Sequence, residues 1–299
     1  MLMFNAWNAD RTAIHVSTAN ELVKDVRGLV TLPHVYIKIG QLIDGPRSSS
    51  TDIVKAVSQD PSFTLRLLRV ANSALYRFPS AVDTVAKAVA IIGTAQIRHL
   101  ALSMSVASSF EGLPNELVSM ENFWRHSLYC ALAARDLAKR AGHRDPDALF
   151  TAGLLHDIGE LILFNRLPQQ AKQALLMVLD SGDELPIHLA ERQVMGFDHA
   201  DVGGELAREW HLPPVLEECL ANHHNIAGSQ RHRREVALVH LANSLALMAE
   251  LNDLDPLDVP AIDPLAWEIT GLSADCIEDC VHEAQASIAE IERLFVGKQ

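Results

Sequence analysis

The sequence predicts an all-helical fold, and three observations carry that expectation. Apolar residues recur at spacings of three and four rather than two, β-branched alternation is scarce, and several segments open on an acidic residue or a proline. The chain has 299 residues, 48% of them hydrophobic, which is enough for a sizeable core and suggests two packed units.

Thr31-Leu32-Pro33 opens a helix that places Val35, Ile39 and Leu42/Ile43 on one face, and Gly45 to Ser50 closes it as a loop. A short helix over Thr51–Ser58 turns Ile53, Val54 and Val57 inward. Asp60-Pro61 is a strong start signal, because proline at the first helical position loses no hydrogen bond. The helix it begins carries Leu65, Leu68 and Asn72 and should run to about Tyr76. Pro79-Ser80 resets the chain before a helix from Val82 to Ile92. Gly93 breaks it, and Thr94 caps another through Ser108. Phe110 to Pro114 reads as the linker between units.

The second unit opens on Phe123-Trp124-Arg125-His126-Ser127, stays helical to about Arg140 and turns over Gly142–Pro146. Asp147 to Phe164 reads as one central buried helix, weakened locally by Gly153 and Gly159. Helices follow near 168–180, 186–195, 199–210, 213–224 and 235–251. Pro256 to Pro264 is a loop, and Ser273 to Phe295 is a long amphipathic helix. Its stripe of Ile277, Val281, Ala284, Ile288 and Ile291 suits either packing or a partner surface.

A formal charge of -13 opposes a phosphate backbone, which argues against a direct nucleic-acid partner. Cys130, Cys219, Cys276 and Cys280 form no Cys-x-x-Cys pair, so reduced thiols in a cytoplasmic protein are the simplest reading. The start, Met1 to Asn5, has no basic region followed by a long apolar run. Apolar stretches elsewhere are interrupted before membrane-spanning length, so no membrane partner is expected.

The chemistry concentrates in the second half, where ten of the 14 histidines lie between 126 and 240. Gly153-Leu154-Leu155-His156-Asp157-Ile158-Gly159 puts an imidazole and a carboxylate inside an apolar stretch, where each is costly to bury unpaired. On a continuous helix the two side chains point about 100° apart, so meeting one ion needs a bent backbone. His126, His199, His223, His224, and His240 with Asn243 are the further candidates. Imidazole and carboxylate suit iron, manganese or zinc better than magnesium. The alternative is a buried polar network of histidine, aspartate and carbonyl groups without any ion.

These segments resemble the HDOD domain, a bacterial relative of the HD and HD-GYP phosphohydrolases. The carrying motifs are Gly153–Gly159, Phe123–Ser127, Phe197-Asp198-His199-Ala200-Asp201-Val202-Gly203 and His223-His224. The first half agrees through Leu32-Pro33, Ser58-Gln59-Asp60-Pro61, Leu67 to Ser73 and Ile92-Gly93. The resemblance implies an all-α HDOD fold: an amino-terminal helical unit over 20–113, an HD-like helical domain over 114–253, and a loop with a carboxy-terminal helix over 254–299. It implies metal ligation by His126, His156, Asp157, His199, His223, His224 and Asn243. The cofactor is then one or two divalent ions, or none.

Two positions depart from the active relatives. Asn243 stands where aspartate closes the metal set, offering an oxygen without charge. Glu160 stands where a lysine follows the His-Asp motif, an anion where phosphate wants a cation. The chain after His223-His224 runs Asn225-Ile226-Ala227-Gly228, without the loop of the cyclic-dinucleotide hydrolases. The resemblance therefore implies first a regulatory signal-transduction module that does not turn over substrate. Its partner would be a signalling protein or a small phosphorylated ligand, with a homodimer left open. The alternative is a metal-dependent phosphohydrolase acting on a nucleotide or other phosphate ester.

Overall fold

The structure, a computed structural model, describes residues 17–26, 32, 34–45, 49–110, 117–182, 185–251 and 262–295. Within them the chain is all helical, with sixteen α-helices, two 3-10 turns and no strand. Expectations for Met1–Asn5, Thr31, Pro33, residues 46–48, 111–114 and 256–261 lie outside the described residues.

The first half comprises α1 (Ala19–Val26), α2 (His34–Asp44), α3 (Ser50–Ser58), α4 (Pro61–Ala71), α5 (Val85–Ile92) and α6 (Thr94–Ser109). Their starts follow local chemistry. Ser49 and Asp52 form a reciprocal capping box on α3, Asp60 accepts from the Phe63 amide with Pro61 at the first helical position, and Thr84 accepts from the Lys87 amide. The helix from Pro61 is shorter than the apolar spacing predicts, because Asn72 caps it. Its amide nitrogen donates to the Leu68 and Val82 carbonyls at 2.7 and 2.8 Å, and its oxygen accepts from the Val82 amide at 2.7 Å. That clamp holds 72–82 as a loop, so α5 begins at Val85 rather than Val82. Helix α1 was not foreseen in the sequence.

The second half comprises α7 (Met120–Arg140), α8 (Pro146–Leu155), α9 (Ile158–Arg166), α10 (Pro168–Asp180), α11 (Ile187–Met195), α12 (His199–Glu209), α13 (Pro214–Asn222), α14 (Arg233–Leu251), α15 (Pro264–Thr270) and α16 (Ile277–Phe295). The single helix expected over Asp147–Phe164 is in fact two, α8 and α9, separated at His156-Asp157. The loop expected through Pro264 ends earlier. Asp263 accepts from the Leu265 amide to start α15, and Gly271 ends it at φ 72°. A 3-10 turn, Ala274–Cys276, precedes α16.

Long α7 is the axis of this half, packed by α8, α14 and α16. Ile277, Val281, Ala284 and Ile291 are buried in the core, so α16 folds back and its stripe is packing. Buried side chains from α1 to α16 form one continuous apolar cluster. Among the described residues no single helix is long and apolar enough to cross a membrane. Asn72→Ala is expected to lower stability by about 1–2 kcal/mol, read as a shifted urea midpoint with unchanged helical circular dichroism; an unmoved midpoint would mean that packing alone shapes the 72–82 loop.

Candidate metal centre

The break between α8 and α9 is what lets two adjacent residues face one space. Asp145 caps α8 by accepting from the Ala148 amide, with Pro146 at its first position. Gly153 lies against α7 so closely that a Cβ there would stand 2.8 Å from the Cys130 carbonyl oxygen. At the far side of the break, a Cβ on Gly159 would overlap the His199 carbonyl and stand 2.9 Å from the Gly203 nitrogen. These two glycines are therefore spacers. They bring α7, α8–α9 and α12 to backbone contact, and with them His126, the His156-Asp157 pair and His199.

Asp157 is the hub. Its Oδ2 lies 2.8 Å from His156 Nε2 and 3.6 Å from His126 Nε2. Its Oδ1 lies 3.3 Å from His199 Nε2 and 3.4 Å from His223 Nε2. The set closes on one side with Asn243 Oδ1, 3.0 Å from His126 Nε2. On the other, His224 Nε2 is 2.9 Å from His199 Nε2. All seven residues singled out in the sequence thus meet, in two groups sharing one carboxylate.

Four of the rings are fixed through the nitrogen that faces away from Asp157. His126 Nδ1 pairs with Glu250 at 3.0 Å, His156 Nδ1 with the Gly153 carbonyl at 2.8 Å, His199 Nδ1 with Glu191 at 2.7 Å, and His223 Nδ1 with the Leu220 carbonyl at 3.0 Å. Such anchors select the tautomer that leaves Nε2 with a lone pair toward the centre. His224 is held instead by its ring, stacked 4.1 Å from His188. His240, open between ligand and support in the sequence, is support. Its Nδ1 donates to the His223 carbonyl at 2.8 Å and its Nε2 accepts from the Asp263 amide at 3.1 Å.

The centre is largely buried and charged. His156 and His223 are wholly buried and Asp157 is 8% exposed. Burial opposes charge on every group, yet the Asp157 carboxylate outweighs it at His156 and pushes that imidazole up to about 10. His199 is likewise raised despite burial, by Glu191 and Asp157. His223 goes the other way, down to about 4, through burial and the positive rings beside it. His156 and His199 hold Asp157 well below the usual carboxylate range against the opposing effect of burial. In this state protons do the work of a cation.

A divalent cation fits the residues better than protons do. His156 Nε2 and Asp157 Oδ1 are fully buried and, despite their close neighbours, make no hydrogen bond of acceptable geometry. Buried polar atoms without partners are rare enough to need a reason. Asp157 with His199, His223 and His224, and Asp157 with His126 and His156, each present donor atoms within 4.8 Å of one another. The cluster is thus capable of coordinating a divalent metal.

Two acidic groups, Glu250 and Glu191, escaped the sequence reading as parts of the centre. Glu250 was detectable, since it lies seven residues after Asn243 and so two turns along the same face of α14. Glu191 sits on another helix and gave no sequence signal. Glu160, expected to repel phosphate, groups with Glu191 and His199. Burial, then the Asp157 and Glu191 charges, push its carboxyl well above the usual range.

An all-helical chain with a buried His-Asp cluster at a helix break belongs to the HD-type class. The HDOD domain profile matches residues 29–226, and the chain belongs to the HDOD-domain family. It is 25% identical over 214 residues to an uncharacterized protein of Treponema pallidum (strain Nichols), covering 71% of this chain and 41% of that protein. The chain therefore spans about two fifths of the length of that curated relative. Among solved structures it is similar to a Geobacter sulfurreducens HDOD domain protein of unknown function, at 24% identity and TM-score 0.75, with 93% of this chain and 98% of the other covered. It is also similar to a Shewanella amazonensis SB2B protein described as a candidate phosphohydrolase, at 23% identity and TM-score 0.73 with the same coverage. Both likenesses are of fold.

Two outcomes test the geometry. Gly159→Ala must part α9 from α12, so it is expected to cost about 3 kcal/mol and to lower metal content in proportion, measured by unfolding and elemental analysis. Ligation needs deprotonated rings, and His156 is raised to about 10. Metal binding near pH 7 should therefore release protons and weaken as pH falls, by about tenfold per pH unit for each proton displaced. Calorimetry in buffers of different ionisation enthalpy reads this directly; no proton release would mean that His156 stands outside the set.

Proposed function

We propose that this chain is a metal-dependent phosphohydrolase built on the HDOD fold, acting on a nucleotide or other phosphate ester. The single observation behind the reading is one buried carboxylate, Asp157, facing two histidine groups whose rings are turned toward it. In the proposal His126, His156, Asp157 and Asn243 hold one ion, and Asp157, His199, His223 and His224 hold a second. Imidazole-rich donors favour iron, manganese or zinc. When bound, such ions polarise a phosphoryl oxygen and acidify water.

The chain's own residues supply the rest. Asp157 would be shared between the two ions, and the Nδ1 partners of His126, His156, His199 and His223 fix those four rings so that no rotamer search is needed on binding. Asn243 brings no charge, but Glu250 hydrogen-bonds His126 directly and returns a carboxylate to that side. The low exposure of the centre excludes bulk water and strengthens every electrostatic contact there. The phosphohydrolase description of the Shewanella amazonensis relative is in line with the reading. The division into units at 20–113, 114–253 and 254–299 goes with it.

A second reading, regulation by binding without turnover, has its own observation. A cavity of about 820 Å³ opens between α1, α2 and the turn joining α12 to α13, lined by Val23, Tyr36, Ile37, Arg98, Trp210 and Leu212 among others. That size and mixed lining suit a small signal molecule, and α12 links the cavity to His199. In that reading the partner is a signalling protein or a small phosphorylated ligand.

Elemental analysis of the purified protein, with a panel of phosphomonoesters and phosphodiesters, separates the two. Bound metal is expected, with turnover that falls at least about a hundredfold in Asp157→Ala together with metal content. Metal without turnover on any ester would favour the regulatory reading, and neither metal nor turnover would overturn the first.

A further inference from the structure

The start of α16 holds two thiols that the metal centre does not use. All four cysteines of the chain are free, but their settings differ. Cys130 and Cys219 are sealed in the core, and burial pushes the Cys219 thiol well above its usual range. Cys276 is half-buried at the end of the 3-10 turn Ala274–Cys276, and Cys280 lies fully buried in the first turn of α16, against α7. Residues four apart share a helix face, and here the two sulfurs are hydrogen-bonded to each other.

The pair is asymmetric, and the asymmetry comes from its neighbours. Cys280 donates to Asp136 Oδ2 on α7, at 3.1 Å. Asp136 is bonded in turn to Arg140 at 2.7 Å, and Arg140 reaches Asp279 at 3.4 Å. The Cys280 hydrogen bond, and then the Arg140 guanidinium, pull the Cys276 thiol below its usual range against the opposing effect of burial. Cys280 moves the other way, raised by its bond to Cys276, by burial and by Asp136. Cys276 also directly precedes a 19-residue helix, whose amino end favours an anion. Glu278 and Asp279 in its first turn oppose that effect, the second of them held by Arg140. One sulfur is thus accessible and prone to ionise, and the other is sealed with its proton directed at a carboxylate.

Such a pair divides the work of oxidation, the accessible thiolate meeting the oxidant and its neighbour resolving the product. The reach is sufficient. Four residues at about 1.5 Å each span about 6 Å, inside the about 4.4–6.8 Å between Cα atoms that a disulfide bridges. Asp136 is ten residues beyond His126 on α7, about 15 Å along the axis, so the thiols stand apart from the metal centre.

We propose that Cys276 and Cys280 form a reversible oxidation site for hydroperoxides, in which Cys276 reacts first and Cys280 resolves it to a disulfide. The Cys276 thiolate attacks the outer peroxide oxygen and the O–O bond breaks. The leaving alkoxide or hydroxide takes a proton from solvent, and Cys276 is left as a sulfenic acid. The Cys280 sulfur then attacks that of Cys276, passing its proton to Asp136, while the sulfenic hydroxyl takes up a proton and leaves as water. Two thiols and one hydroperoxide become one disulfide, one alcohol or water, and one further water. Closing the bridge removes the hydrogen bond that ties the first turn of α16 to Asp136. The site is independent of the reading given to the metal centre and stands if that reading fails.

The test treats the full-length protein with a small excess of hydrogen peroxide near neutral pH, after removal of reductant and with a chelator present so that no metal drives the oxidation. Arg234 and Arg293 are consecutive tryptic sites, so residues 235–293 come off as one peptide whose only thiols are Cys276 and Cys280. That peptide is expected to lose two hydrogens and its capacity for alkylation, both restored by dithiothreitol, while Cys130 and Cys219 stay reduced. Cys280→Ser should stop the reaction at a sulfenic acid on Cys276, trapped by dimedone. Cys276→Ser should slow oxidation of the remaining thiol by at least about tenfold. A wild-type peptide that keeps both hydrogens overturns the proposal. So does a bridge that closes no faster than in the same chain unfolded in urea, or a first oxidation at Cys280.

Discussion

A carboxylate kept ionised in a largely buried site sets the terms for the rest of this molecule. Asp157 is buried among imidazoles, and an isolated buried charge of that kind is prohibitive. Around it gather one imidazole from α7, one from the end of α8, one from α12 and two from the end of α13, with Asn243 of α14 behind His126. Helices that would otherwise pack by apolar faces alone are thereby held in a particular mutual arrangement. The backbone break before Ile158 is part of the same requirement, since a continuous helix would turn His156 and Asp157 apart.

Legibility in the sequence followed the range of the interactions. Helix starts were readable where a cap and a proline act within four residues, as at Asp60-Pro61. The end of α4 was not, because Asn72 stops it by bonding Val82, ten residues on. The break at His156-Asp157 was likewise hidden. Gly153 and Gly159 weaken the helix locally without fixing where it breaks, and the reason for the break lies on α12 and α13. The seven residues of the centre were legible through motif resemblance, since imidazoles on separate elements have no common spacing. Glu191 was invisible because its importance arises only from the 2.7 Å contact with His199.

The two departures from active relatives look different in three dimensions. A linear comparison counts Asn243 as a lost charge and Glu160 as a wrong one. In space, Glu250 stands behind His126 on the same helix face as Asn243, and burial beside Asp157 and Glu191 pushes the Glu160 carboxyl well above its usual range. Charge at this centre is a property of the surrounding shell as much as of the named motif. Motif degeneracy is therefore weak ground for declaring such a centre inert.

Helix α14 supplies the wall formed by Asn243 and Glu250, and it lies entirely beyond residue 226, where the family match stops. Helix α1, which covers α12, lies entirely before residue 29, where the match starts. Anyone trimming the protein to its recognisable homology region would thus remove one wall of the His-Asp cluster and the helix that backs α12, and a metal assay on that fragment would not describe the intact molecule. Boundaries drawn by sequence likeness and boundaries drawn by chemistry do not coincide in this chain.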